Sequence, residues 1–410
     1  MASGSGCLLC HGAALEPVVS LTPTPPANDV AGTAEEARGL TTYPLDLVRC
    51  AGCGHVQLVD VIAREELFAD YRYATGAAPA LVAHCEELAA ETIERLGLPP
   101  GASVLEIGSN DGTQLRAFAS RGMRVLGVDP AVQLGRDATA GGIPTITAHF
   151  GPEAAEKIAA DHGRFDLVVA SNVVAHVSDV NGVLSGIREL LAPDGVAVIE
   201  VAHVLPMAQG GVFELIYHEH LSYFSLHAFE FAARANGLGV FRVDRTAAQA
   251  GSLRCWIGRA EQAARRPAEG VEDVRRLEAE AGVPDGSFLA DFASRIDRVC
   301  TTLRDVVHGL AANGKRLAGY GASARAVTLL AQAGVGGDIR WIADDNPRKV
   351  GLFTPGDGIA IVDPRALTAG DIDYCVLFAW NFEKDIRSRN TRFIDGGGAF
   401  VVPFPELVIR

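Results

Sequence analysis

The chain reads as an α/β protein, with a small metal-binding module ahead of two α/β domains. Three observations lead there. Short apolar runs alternate with helix-length spacers through the middle of the chain, the same alternation restarts near Arg316, and two Cys-x-x-Cys pairs sit in an N-terminal stretch with little periodic pattern. At 410 residues the chain exceeds one typical domain, and two or three are expected. The composition shifts place the boundaries at 1–66, 67–261 and 262–410.

Residues 1 to about 66 hold four of the eight cysteines, and Pro23, Pro25 and Pro26 fall in an extended stretch. From about 67 to 98 the apolar spacing predicts helix, as in Ala80-Leu81-Val82-Ala83-His84-Cys85-Glu86-Glu87-Leu88, and Pro99-Pro100-Gly101 ends it. Val104 to Ile107, Val125 to Val128, Leu167 to Ala170 and Val196 to Val201 are then short apolar runs bounded by Gly, Pro and Asp. Such runs separated by helical spacers predict a parallel, doubly wound sheet. Residues 262–283 are charged and alanine-rich, which suits one or two connecting helices. A second strand set follows at Leu317 to Gly321, Ile339 to Ala343, Tyr374 to Leu377 and Phe400 to Val402. There is no internal repeat or low-complexity tract.

Bulk properties narrow the function. Hydrophobic residues make up 48% and charged residues 21%, as in a globular enzyme. A formal charge of −14 argues against a nucleic-acid surface, which needs clustered Lys and Arg. No uncharged apolar run of about 18 residues is present, so no membrane span is expected. Met1 to Gly6 carries neither positive charge nor apolar core, so a signal peptide is not expected and a cytoplasmic location is. In that compartment the cysteines should be thiols or metal ligands.

Cys7-x-x-Cys10 and Cys50-x-x-Cys53 are two knuckles separated by 39 residues. Four thiolates make a closed tetrahedral Zn²⁺ site with no position for water, so the metal expected here is structural. A pair of redox motifs is the competing reading. His55 reads as a neighbour, and Cys85, Cys255, Cys300 and Cys375 as packed residues.

Glu106-x-Gly108-x-Asn110-Asp111-Gly112 follows a strand and opens a helix. Glycine lets backbone approach a ligand, and the helix start offers free N–H groups. Asp129 ends the next strand, where a carboxylate suits ribose hydroxyls. The G-x-G-x-x-G pattern of three glycines usual in a dinucleotide loop is not present.

The densest polar cluster is Tyr217-His218-Glu219-His220, set in an apolar context of Phe213, Leu215, Ile216, Leu221 and Phe224. Titratable groups are costly to bury there unless paired or used. The bland reading is buried, hydrogen-bonded histidines; the sharper one is proton chemistry. His176 and His203, near strand ends, are rivals for the base. Gly319-Tyr320-Gly321-Ala322-Ser323-Ala324-Arg325 is a second glycine loop, and Asp344 lies 23 residues after Gly321. A substrate diphosphate, a relic loop and an NAD site are all compatible with it. Arg325, Arg348 and Lys349 are candidate phosphate partners.

The first loop, Phe165-Asp166-Leu167-Val168-Val169-Ala170-Ser171-Asn172 and Leu191-Ala192-Pro193-Asp194-Gly195 resemble motifs of class I S-adenosylmethionine-dependent methyltransferases. With the knuckles, Ser171 to Val177, Tyr217 to His220, Gly319 to Arg325 and Trp380-Asn381-Phe382, essentially the whole chain resembles the sugar C-methyltransferases of antibiotic deoxysugar pathways. The resemblance implies a zinc-binding domain, a central Rossmann-like methyltransferase domain and a C-terminal Rossmann-like domain that helps hold a nucleotide sugar. It implies C-methylation, by S-adenosylmethionine, of a nucleotide-linked ketosugar, a dTDP-4-keto sugar at C-3, by a monomer. It implies His220 as base, Tyr217 and Glu219 lining the site, and an N-terminal tyrosine near the sugar, Tyr71 or Tyr73, with Tyr73 favoured. Cofactor contacts are expected from Glu106, Gly108, Asn110, Asp111, Gly112, Asp129 and Asn172. Substrate contacts are expected from Tyr71, Tyr73, His176, Tyr217, Tyr223, Gly321, Ser323 and Arg325. Asp357 follows Thr354-Pro355-Gly356 where a small hydroxyl residue is expected, which bears on the nucleotide if that loop lines its pocket.

A saturated sugar carbon is no nucleophile, but next to a ketone it loses a proton to give an enolate that is one. That requires a base titrating near neutrality, which histidine supplies, and donors on the developing oxyanion. Tyr217, His218 and Tyr223 are candidate donors. An O- or N-methyltransferase and a non-catalytic binding module are the competing functions.

Overall fold

The computed structural model describes residues 2–3, 6–63, 67, 74–77, 79–369 and 371–410. Tyr71 and Tyr73 lie outside the described residues.

The N-terminal stretch is a sheet rather than irregular chain. Strands β1 (Leu15–Thr24), β2 (Tyr43–Cys50) and β3 (Val56–Leu58) pair antiparallel, burying Leu45, Leu47, Val56 and Leu58. The fourth strand, Ser222–Tyr223, comes from the far side of the methyltransferase-like region and pairs with Val56 and Gln57. That long-range pairing ties the cysteine knuckles to the segment directly after His220.

Helix α1 (Pro79–Leu96) begins with proline at its first position, where the missing N–H costs nothing. Ahead of it, where the spacing predicts helix, Thr75–Ala77 form one tight turn, and 68–73 lie outside the described residues. The central sheet follows: β4 (Ser103–Ile107), β5 (Arg124–Asp129), β6 (Thr145–Thr147), β7 (Phe165–Ser171) and β8 (Leu191–Ala202). An antiparallel pair, β9 (Leu238–Thr246) and β10 (Ser252–Arg259), completes the order β9-β10-β8-β7-β4-β5-β6. Both faces are buried, which is why these strands read as continuous apolar runs. Val104, Leu167, Val169 and Val198 meet Leu88, Leu115 and Phe118 of α1 and α2 (Thr113–Ala119) on one face. Leu105, Val168 and Ile199 meet Val183 and Ile187 on the other.

The C-terminal sheet uses β11 (Leu317–Tyr320), β12 (Ile339–Ala343), β13 (Ile361–Val362), β14 (Tyr374–Leu377), β15 (Ala399–Val402) and β16 (Val408–Ile409), ordered β13-β12-β11-β14-β15-β16. All its pairings are parallel except the last. In each sheet one strand, β4 or β11, has its successor on one side and a later strand on the other. Ligands of open α/β sheets bind at the carboxyl ends of such switch points. The two switch-point loops line one shared cavity, with Gly108 and Asn110 from the first and Gly321 and Ser323 from the second. No helix among the described residues is long and apolar enough to cross a membrane.

Candidate active site

The four knuckle cysteines converge. Their sulfurs lie within 4.8 Å of one another, with Cys7 Sγ 3.4 Å from Cys53 Sγ and Cys10 Sγ 3.5 Å from Cys50 Sγ. Tetrahedral Zn–S bonds of about 2.3 Å put sulfurs roughly 3.8 Å apart, so four soft thiolates in this arrangement fit zinc and leave no open position. His55 is fully buried and contacts the Ser222 hydroxyl at 3.0 Å through Nε2. It is therefore a link to the Ser222 strand and not a ligand.

The first glycine loop is shaped by its own side chains. Gly108 turns with φ 69°, and Asn110 takes φ 51°. Asp111 accepts hydrogen bonds from Gly76 N at 2.9 Å and Thr113 N at 3.1 Å. Gly112 caps α2. Asp111 and Gly112 therefore build the loop and, contrary to expectation, do not line the cavity. Glu106, Gly108, Asn110, Asp129 and Asn172 do. Asp129 receives Asn110 N and Ala131 N, each at 2.8 Å, one on each carboxylate oxygen. Burial raises its pKa against those two bonds. Burial, with Asp129 and Asp111 nearby, also holds the Glu106 carboxyl well above the usual range, and its Oε2 lacks a partner among the described residues.

Across the cavity, Arg325 donates to Glu214 Oε1 at 2.5 Å, and Trp380 Nε1 donates to the same oxygen at 2.8 Å. Arg325 Nε and Nη1 and the Ser323 hydroxyl remain buried without partners among the described residues. Sequence reasoning missed Glu214, although a carboxylate between Phe213 and Leu215 demands a buried cation. Lys349 reaches Ala322 O at 2.9 Å, whereas Arg348 reaches Asp137 at 3.0 Å.

The Tyr217 to His220 turn lies between these two walls. His220 Nδ1 donates to the Leu215 carbonyl at 2.9 Å. Since that oxygen can only accept, Nε2 carries the lone pair and takes the Tyr217 hydroxyl at 2.7 Å. Burial, and then His176, whose ring centroid is 4.7 Å away, push the His220 pKa well below the usual value. His176 is lowered to about 4 by burial. Glu219 accepts from Asn28 Nδ2 at 2.9 Å, and burial raises its pKa. Asn28 carries no sequence signal; only folding brings the N-terminal module to this carboxylate.

Several expectations are corrected. His218 points away from the cavity and donates to the Tyr43 carbonyl at 3.2 Å. Tyr223 is a buried strand residue whose hydroxyl reaches the Leu215 carbonyl at 3.4 Å, outside the cavity lining. His203 is closed off by Glu278 at 2.9 Å. Residues 354–358 pack against a short helix, Ala34–Arg38, instead of the cavity: Gly356 N bonds Ala37 O at 3.0 Å and Arg38 Nε bonds Asp357 O at 3.2 Å. Asp357 therefore says nothing about the nucleotide.

C-methyltransferase NovU of Streptomyces niveus is 37% identical to this chain over 391 residues, covering 95% of this chain and 93% of its own. The chain belongs to the C-methyltransferase family. Family models match a zinc binding domain at residues 7–68, a methyltransferase domain at 81–243 and a C-methyltransferase C-terminal domain at 247–405. A ubiquinone biosynthesis O-methyltransferase of Cereibacter sphaeroides is 35% identical over 122 residues, 28% of this chain and 47% of its own. Magnesium protoporphyrin IX methyltransferase of Synechocystis PCC 6803 aligns with 43% of this chain and 83% of its own, at 16% identity and TM-score 0.35. This C-methyltransferase uses S-adenosylmethionine, and its zinc-binding domain brings Cys7, Cys10, Cys50 and Cys53 together in one cluster.

Proposed function

We propose that this C-methyltransferase methylates a carbon next to a ketone on a nucleotide-linked deoxysugar, a dTDP-4-keto sugar in antibiotic biosynthesis. The observation that carries the reading is the placement of the Tyr217–His220 pair between two switch-point loops. One wall, with Glu106, Gly108, Asn110, Asp129 and Asn172, takes the cofactor. The other, with Gly321, Ser323 and Arg325, offers unpartnered donors to a diphosphate. We assign 1–66 to zinc binding, 67–261 to the methyl donor and 262–410 to the connecting helices and nucleotide sugar.

S-adenosylmethionine supplies an electrophilic methyl group when bound. The residues do the proton work. The Leu215 carbonyl fixes the His220 tautomer, so Nε2 is the basic atom. Substrate displaces the Tyr217 hydroxyl from Nε2 and presents its acidic C–H to that nitrogen. The freed phenol turns its hydrogen to the developing enolate oxygen, the position where a donor lowers the barrier. Glu219, held by Asn28, accepts a sugar hydroxyl. Burial, with His176 beside it, keeps His220 neutral and ready to accept a proton.

The test is His220→Asn, read as deuterium uptake alpha to the ketone and as methyl transfer to a nucleotide-linked 4-ketosugar. Both should fall in parallel by roughly 10²-fold or more, the usual scale for losing a general base, while S-adenosylhomocysteine binding persists. Exchange and methylation at the wild-type rate would place the base elsewhere.

A further inference from the structure

The cavity wall on the α1 and α2 side holds a polar row of which the proposed chemistry uses only Glu106. Ser171 and Glu200 are direct register partners on β7 and β8, and Glu106 on β4 is paired with Val169, two residues before Ser171. All three side chains therefore share one face, and three strands about 4.8 Å apart spread the row over roughly 10 Å.

Two helix residues close over this row. Gln114 of α2 accepts the Ser171 hydroxyl on Oε1 at 3.0 Å. Its Nε2 is buried without a partner among the described residues, on a side chain only 4% exposed. His84 of α1 bonds Glu200 Oε1 through Nε2 at 2.7 Å, and the other oxygen of Glu200 takes Arg254 Nε at 3.0 Å. Glu200 is fully buried, fixes the His84 ring and draws it toward its charged form. Both His84 and Gln114 line the cavity beside Glu106.

We propose that Gln114 and His84 bind the carboxylate of the cofactor's amino-acid end, with its ammonium on the unpartnered oxygen of Glu106. The proposal rests on the reading that the Gly108 cavity is the cofactor site. The donor set decides the polarity. An amide Nε2 only donates, and a His84 ring whose Nε2–H is given to the fully buried Glu200 has only Nδ1 left to offer, where an anionic ligand favours the proton. Two donors beside one carboxyl suit a zwitterion, whose ammonium has a hydrogen for the unpartnered Glu106 oxygen; a phosphate dianion has none to give it. Because Glu200 is held by Arg254 and His84 at once, the ring is positioned before the ligand arrives.

Calorimetry on the zinc-loaded full-length protein tests this with two ligands. One is S-adenosylhomocysteine; the other is its decarboxylated analogue, which keeps the adenosine, thioether and amine. Wild type should prefer the first. His84→Ala and Gln114→Leu should each weaken it roughly tenfold or more, the scale of a charge-assisted bond, and leave the analogue's affinity unchanged. Gln114→Leu stands apart from the Glu200 ion pair and serves if His84→Ala does not fold. Equal losses for both ligands, or none, overturn the carboxylate assignment. Wild type that binds neither ligand overturns the placement of the cofactor site itself.

Discussion

Replacing Gly108 by alanine separates the two reasons why that position lacks a side chain. With φ at 69°, an alanine there must hold the left-handed conformation, at a cost of about 1–2 kcal/mol. Its Cβ would also lie 2.3 Å from Val173 Cγ2 and 3.2 Å from Cγ1. Carbon atoms settle at about 3.5 Å or more, so Val173 must move by roughly 1 Å. Val173 packs on the core with one side and lines the cavity with the other, so its free direction is into the cavity. Overpacking of this kind costs about 1–3 kcal/mol. Gly108→Ala should therefore lose about 2–5 kcal/mol in urea unfolding, and bind S-adenosylhomocysteine more weakly. In a Val173→Ala background both methyl contacts are gone and only the Val173 Cβ, 3.3 Å from the new carbon, stays close, so the penalty should shrink towards the backbone cost of about 1–2 kcal/mol. A Gly108→Ala protein with wild-type stability and affinity would refute both the strain argument and the placement of the cofactor.

Cys50→Ser opens the four-thiolate site and should lower both zinc content and folded yield, read by metal analysis and soluble expression; a soluble, metal-free and fully active variant would sink the structural role. The partly buried His176, with its pKa lowered to about 4 by desolvation, makes stability depend on acid. The unfolded chain binds a proton near the ordinary histidine value and the folded chain does not, so stability from this group falls as pH drops below about 6.5, by roughly 2 kcal/mol between pH 7 and pH 5. The raised carboxyls of Glu106, Asp129 and Glu219 act in the opposite sense, so wild type must be compared with His176→Asn. The stability gap between the two proteins should change by that amount over this range; parallel curves would contradict the burial argument.

Local information was enough for much of this protein. The central strands are buried on both faces, so each appears as a bare apolar run whose placement needs no knowledge of its partners. The four cysteines declare a metal site because their ligand chemistry is carried in the spacing itself. The Tyr217 to His220 cluster stood out because polar groups in an apolar run require an explanation wherever they end up. The N-terminal sheet was not legible, since its fourth strand is two residues long and lies more than 160 positions away from its partner, Val56 to Leu58. Nor was the division within the cluster itself. His218 and His220 differ by two positions, and only the turn between Leu215 and Ser222 sends one to the Tyr43 carbonyl and the other to Tyr217 in the cavity. Asn28, Gln114 and His84 are ordinary polar residues in the sequence. They acquire meaning when folding sets them against Glu219, Ser171 and Glu200. Composition and periodicity record which surfaces must be buried, but the pairing of two polar groups across a cavity depends on distances that exist only once the three sheets have packed.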